Sequence, residues 1–282
     1  MLGSVALALL LTGPAHAPAA TAIHGEKGFE EALRRARKQR KPVFVDFWAD
    51  WCSWCHRLDQ TTYVDPAVVR LAGDFVSVKV NTEGGPQQAE IAARYDVATL
   101  PTMLFLSPEG RLLLRVNGFR GPGQFPDSLK AARETARQVM GWEAALEKQP
   151  DDATALLRLG THLFEQETYE ESRALLKQAI EQDAQSPLSE RKKARMLLGV
   201  IQTYDRRYAD AEAVLKQALG LPPQPDHDAR LLFVLGRSYV AWGKLGMARE
   251  VMRQILMSYP TSPVAGKARE TLAALEHKDR KK

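Results

Sequence analysis

The sequence holds two cysteines in 282 residues, Cys52 and Cys55, and no third. A zinc site built on thiolates alone is thereby excluded, since a structural zinc takes four ligands. A block of one charge sign is also missing. Acidic and basic residues interleave, as in "EEALRRARKQRK" and "DDATALLRLG". The net charge of +5 therefore describes a solvated surface, and nucleic acid is not an expected partner. The N-terminal apolar run, "LGSVALALLLTG", falls short of a comfortable bilayer span, so no membrane span is expected in the mature protein. No lysine or arginine precedes that run.

What is present is an ordinary globular composition, 45% hydrophobic and 26% charged, in a chain longer than one average domain. Two domains are expected. The N-terminal run has the length of a signal-peptide core, and Ala15-His16-Ala17 behind it offers a small-x-small cleavage site. Residues 1–20 thus read as a signal peptide cleaved near Ala17, with Ala20 or Ala22 as substitutes and a buried N-terminal helix as the alternative. Export would place the cysteine pair in an oxidising compartment, the periplasm.

Residues 24–140 alternate strand and helix patterns. Phe29, Ala32, Leu33 and Ala36 recur at helical spacing before Lys41-Pro42. "VFVDF" (43–47) suits a buried central strand, "FVSVKV" (75–80) a second strand, and "GPQQAEIAARYDV" (85–97) a helix. "TMLFL" and "LLLRV", joined by "SPEG", form an antiparallel hairpin, and an amphipathic helix follows at about 125–140. Residues 141–152 read as a linker.

The remainder repeats. Leu-Gly pairs occur at 159–160, 198–199 and 235–236. Nine residues after each glycine stand Tyr169, Tyr208 and Leu245, and twelve after stand Ser172, Ala211 and Ala248. Sixteen after stand Leu176, Leu215 and Met252, nineteen after stand Ala179, Ala218 and Ile255, and twenty-four after stand Ala184, Pro223 and Pro260. Small residues let two helices approach, large ones fill the gap, and proline ends the second helix. This resembles the tetratricopeptide repeat, a helix-turn-helix unit of about 34 residues. Three repeats are expected, at about 153–186, 192–225 and 229–262, then a capping helix and basic tail over 263–282. The Gly-to-Gly spacings of 39 and 37 imply extra residues in the connecting loops.

"DFWADWCSWCHRL" (46–58) carries the chemistry. Its C-x-x-C-H pattern supports a redox dithiol, part of a zinc site, or a c-type haem attachment through Cys52, Cys55 and His56. Zinc lacks ligands, because the other histidines are scattered. Haem fits poorly with a motif that caps a buried strand, and Met103 falls within a strand. A dithiol after a strand and at a helix start explains more, since helix-end N–H groups stabilise a thiolate at Cys52. No metal and no cofactor are expected.

The stretch "VDFWADWCSWC" resembles the active site of thioredoxins, and is more similar to exported thioredoxin-like proteins, including the C-terminal domain of the bacterial membrane disulfide reductase. The resemblance implies an α/β thioredoxin-like domain, a central mixed sheet flanked by helices, ahead of an all-α tetratricopeptide superhelix. It also implies a redox-active Cys52–Cys55 disulfide in which Cys52 attacks and Cys55 resolves, with Asp46 accepting the proton of Cys55. Lys79 matches the lysine near that acid and Gly118 the glycine ending the last strand. Trp51, Leu100, Pro101 and Thr102 match the substrate groove, with Pro101 cis. His56 and Lys79 are candidates for tuning the pair's ionisation. Expected partners are protein thiols and disulfides, a redox partner such as a membrane disulfide reductase, and a peptide or protein on the repeats. The competing reading is an assembly scaffold whose thioredoxin-like part is redox-inert.

Overall fold

The computed structural model describes residues 28–279, so the expected signal peptide lies outside the described residues. The chain divides into two compact units between Glu134 and Thr135.

In the first unit, α1 (Phe29–Gln39) leads into β1 (Val43–Trp48). The helix buries the four residues whose spacing announced it, and it stops where Arg40 turns left-handed ahead of Pro42. Helix α2 (Ser53–Arg57) continues into a π-helical turn over Leu58–Thr62. Then come α3 (Pro66–Ala72), β2 (Val76–Asn81), α4 (Pro86–Arg94), β3 (Thr102–Leu106), β4 (Leu112–Asn117) and α5 (Phe125–Lys148), whose residues from Thr135 on belong to the second unit. Helix α3 is additional to the expected order. Its seven residues are too few for a clear period, although Asp65 caps it, accepting from Ala67 and Val68 N–H, and Pro66 opens it.

The four strands lie in the order β2-β1-β3-β4, with β1 parallel to β2 and antiparallel to β3. Alternation along β1 gives the sheet two different faces. Val43, Val45 and Phe47 pack with Phe29, Leu33, Ile91, Leu104 and Leu106, an aliphatic face covered by α1 and α4. Phe44 points the other way, stacked on Phe105 with centroids 5.2 Å apart and in contact with Tyr63 and Phe125. Such ring pairs add about 0.5–1.5 kcal/mol each beyond the burial itself. Asp46 shares Phe44's face by the same alternation. An acid thus enters an aromatic layer.

Helix α5 corrects the expected linker, because it continues through residues 141–148. Trp142, Ala145 and Leu146 keep a half-buried face at helical spacing, and Gly141 costs only about 1 kcal/mol, too little to end a long helix.

The second unit contains α6 (Ala153–Glu165), α7 (Tyr169–Glu181), α8 (Leu188–Tyr204), α9 (Tyr208–Leu219), α10 (Pro225–Trp242), α11 (Leu245–Ser258) and α12 (Ala265–Asp279). Three hairpins result, α6/α7, α8/α9 and α10/α11. The repeated glycines mark close approach. A Cβ placed on Gly160, Gly199 or Gly236 would stand 3.2, 2.7 or 2.5 Å from Leu176, Leu215 or Met252, the residues sixteen positions on. Ser172, which breaks the small-apolar pattern, donates its hydroxyl to the Gly160 carbonyl at 2.7 Å. Helix α12 sets Ala268 against Leu232, Met252 and Ile255, covering the last hairpin.

The long repeat spacing has a different origin from the one expected. Helix α6 has 13 residues, whereas α8 has 17 and α10 has 18, so the extra residues lengthen helices and not loops. The added first turns bring Lys192 and Asp228 together in an ion pair that is closed to solvent on the lysine side. Asp228 also accepts the Gln224 N–H at 2.9 Å, so its charge is bonded on both oxygens. Asp183 is likewise held by Arg195, with Arg191 Nε 3.5 Å from its other oxygen.

Candidate active site

Strand β1 delivers the chain to the site. Beyond Trp48 the backbone turns, the Cys52 N–H donates to the Ala49 carbonyl, and Cys52 becomes the N-cap of α2. Cys52 and Cys55 are joined in a disulfide, and the Cys55 N–H donates to Cys52 Sγ at 3.2 Å. That donor also favours negative charge on Cys52 sulfur once the bond is reduced. Both cysteines are buried, Cys52 to 3% exposure and Cys55 to 1%.

Asp46 is 1% exposed, and among the described residues neither its oxygens nor the Tyr63 hydroxyl meets a partner in good hydrogen-bond geometry. Its β2 register partner is Lys79, whose Nζ lies 3.4 Å from Asp46 Oδ2 but 2.5 Å from Asp59 Oδ1. The π-helical turn places Asp59 there, and so divides the lysine between two acids. Burial dominates the outcome, with Lys79 only partly offsetting it, and the Asp46 carboxyl rises from 3.8 to about 6. Burial and the facing Asp46 push the Tyr63 phenol well above its ordinary value. Asp46 can therefore hold or release a proton near neutral pH.

The Phe47↔Thr102 register brings the start of β3 to the end of β1 that leads into the cysteines. The Leu100–Pro101 bond is cis. Thr102 spends its hydroxyl internally, on the Thr99 carbonyl at 2.7 Å and Asn117 Oδ1 at 3.1 Å, while Leu100 packs half-buried on the aliphatic core. Gly118 N–H donates to the Pro101 carbonyl at 2.8 Å, and its φ of +76° explains why glycine stands there. His56 Nε2 donates to the Asp50 carbonyl at 2.8 Å, pinning the turn before the cysteines.

Trp51 is among the expected groove residues, whereas Asp59, Tyr63, Glu83 and Phe119 went unread in the sequence. Trp51 is 67% exposed and donates its indole N–H to Glu83 at 2.7 Å. Trp54 is 54% exposed and packs on Phe119 with centroids 5.3 Å apart. Asp59 and Tyr63 carried a usable signal, being four and eight residues past Cys55 on the same helical path. Phe119 carried none, because only tertiary contact brings it to Trp54. Among the described residues there is no group of three His, Cys, Asp or Glu able to hold a metal, and no helix long and apolar enough to cross a membrane.

In the second unit, α8, α9 and α10 frame a groove of about 380 Å³ lined by Thr203, Tyr204, Tyr208, Phe233 and Arg237.

A buried disulfide at a helix start, an elevated acid on an interior strand and a cis-proline loop define a thioredoxin-like domain. The thioredoxin-like domain family model matches residues 29–133, and the tetratricopeptide repeat model matches 113–187 and 197–263, half of the chain. The chain belongs to the tetratricopeptide-repeat family and carries a thioredoxin-like domain ahead of the repeats. Over 97 residues it is 35% identical to the thiol:disulfide interchange protein DsbD of Photorhabdus laumondii subsp. laumondii, covering 33% of this chain and 17% of that protein. Over 108 residues it is 36% identical to DsbD of Salmonella typhi, covering 37% and 19%. The chain thus spans less than a fifth of these relatives. Among solved structures, a DsbH oxidoreductase is 26% identical, with 45% of this chain and 94% of that one covered and a TM-score of 0.37.

Proposed function

We propose that this protein is an exported thiol–disulfide oxidoreductase acting on protein disulfides, with its repeats docking a client or partner. The observation that carries the reading is the Cys52–Cys55 disulfide at the start of α2, together with an Asp46 carboxyl raised to about 6. In the reduced protein, Cys52 thiolate attacks a client disulfide, forming a mixed disulfide and releasing the client's other sulfur as thiolate. Asp46 accepts the proton of Cys55, and the Cys55 thiolate then attacks Cys52 Sγ, closing the disulfide and releasing the second client thiolate. Lys79 sets how readily Asp46 ionises, His56 holds the turn, and Trp51, Leu100, Pro101 and Thr102 shape the approach. The apolar, arginine-edged groove among α8, α9 and α10 supports docking of a peptide on the second unit. A redox partner resembling the rest of DsbD, and a periplasmic location, follow from the same reading, with the thioredoxin-like domain over about 24–140 and the repeats over 153–262.

Insulin reduction by dithiothreitol tests it. The full chain is expected to accelerate precipitation of the insulin B chain and Cys52→Ser to abolish the acceleration. Equal inactivity of both proteins across small thiols and disulfides would leave the scaffold reading standing. A reduction potential near about −270 mV would mark a reductase, and one near about −120 mV an oxidant.

A further inference from the structure

The disulfide is followed, two residues on, by a cation, Arg57, that makes no ion pair among the described residues. Arg57, two residues past Cys55, lays its guanidinium over the Trp54 ring at 5.8 Å and the Phe119 ring at 5.9 Å. Phe119 is held in place from the far side of the domain. Thr62 Oγ1 donates to the Arg120 carbonyl at 2.9 Å, which ties the segment after β4 to the helical path carrying the cysteines. Arg120 in turn donates to the Phe119 carbonyl at 3.1 Å. The two rings bias an exposed guanidinium toward one side of the helix that carries Cys55, and so lower the side-chain entropy it loses on binding.

The carboxylates of the site leave Arg57 unpaired. Asp59 is bonded to Lys79 and Glu83 to Trp51, while Asp50 makes no ion pair with it. What sets Arg57 apart from other exposed arginines is its place over two aromatic rings, two residues past Cys55. An oriented guanidinium on an apolar platform matches one chemistry well: a carboxylate whose neighbouring chain is apolar.

We propose that Arg57, positioned by Trp54 and Phe119, determines specificity by favouring client cysteines that have aspartate or glutamate within a few residues. This rests on the oxidoreductase reading above. It adds a preference for which protein disulfide is taken, decided beside the cysteines and not on the repeats.

Two synthetic peptides test it, each closed by one disulfide and identical except for Glu or Lys two residues after the first cysteine. The reduced full-length protein is mixed with each, and oxidation of Cys52–Cys55 is followed by tryptophan fluorescence. The wild-type protein is expected to react about two- to fivefold faster with the Glu peptide at low salt, the range of one exposed, well-oriented ion pair. The ratio should fall toward one at high salt, vanish in Arg57→Gln and invert in Arg57→Glu. Phe119→Ala, which frees the guanidinium, should shrink it. Equal wild-type rates for the two peptides, or an Arg57→Gln protein with the wild-type ratio, would overturn the inference alone. No exchange with either peptide would overturn the oxidoreductase reading as well.

Discussion

Each unit of the chain buries an aspartate, and the two are treated in opposite ways. Asp228 in the repeats meets Lys192 and a backbone N–H, so its charge is satisfied inside the protein. Asp46 in the thioredoxin-like domain sits among aromatic rings with no partner in good hydrogen-bond geometry among the described residues, and its nearest cation leans toward Asp59. The first arrangement holds charge in place and serves cohesion between repeats. The second leaves a proton free to move near neutral pH, at a cost in stability, and that cost is spent beside the disulfide.

Removing one partner of the satisfied pair should give the largest effect. Lys192→Met strands the Asp228 charge in the interior and is expected to destabilise the repeats by about 3–5 kcal/mol in urea unfolding. The double change Lys192→Met with Asp228→Leu should recover most of that loss, because no buried charge remains.

The unsatisfied acid should respond with the opposite sign. With its carboxyl raised from 3.8 to about 6 in the folded protein, Asp46 binds its proton more tightly than the unfolded chain does. The folded state therefore loses stability as pH rises through that window, and the penalty is constant above it. Asp46→Asn is expected to stabilise the oxidised protein by up to about 3 kcal/mol at pH 8, with the gain disappearing toward pH 4. Lys79 keeps Asp59 in this variant, so no new charge is orphaned. A gain independent of pH would show that Asp46 is not held near its ionisation point.

The smallest effect is steric and separates the repeats from one another. Gly199→Ala drives a methyl to 2.7 Å from Leu215 and should cost about 1–3 kcal/mol, whereas Gly160→Ala meets Leu176 at 3.2 Å and should cost less. Equal losses in thermal melts would mean that the hairpins do not differ in closeness of packing.

Much of this was legible before any coordinates. Nearly continuous apolar runs and the "SPEG" turn marked three of the four strands and their hairpin, and recurring Leu-Gly pairs marked the three helical hairpins with their contact residues. The second strand followed from its β-branched run. Helix α3, the full length of α5 and the added turns of α8 and α10 were missed. Each depends on where a helix ends, and helix ends are set by contacts along the whole element more than by local letters. At the site, Cys52, Cys55 and Asp46 stand in one motif and its flank, while Lys79 and Pro101 were named through the resemblance to thioredoxins. Asp59 and Tyr63 follow Cys55 at helical spacing and could have been found, whereas the sharing of Lys79 needed the fold and Phe119 needed the Thr62–Arg120 link across 58 positions.

By itself the sequence determined what is periodic or covalent: the alternation that sends Asp46 to the aromatic face, the two-residue gap between the cysteines, and the spacing that repeats the helical hairpins. These follow from the geometry of a strand, a helical turn and a peptide chain. Only the tertiary structure decided how charges were shared. Whether Lys79 serves Asp46 or Asp59, whether Lys192 finds Asp228, and whether Arg57 stays unpaired depend on distances of a few ångströms between distant segments. Electrostatic and desolvation energies change steeply over those distances, so partnership is settled by packing.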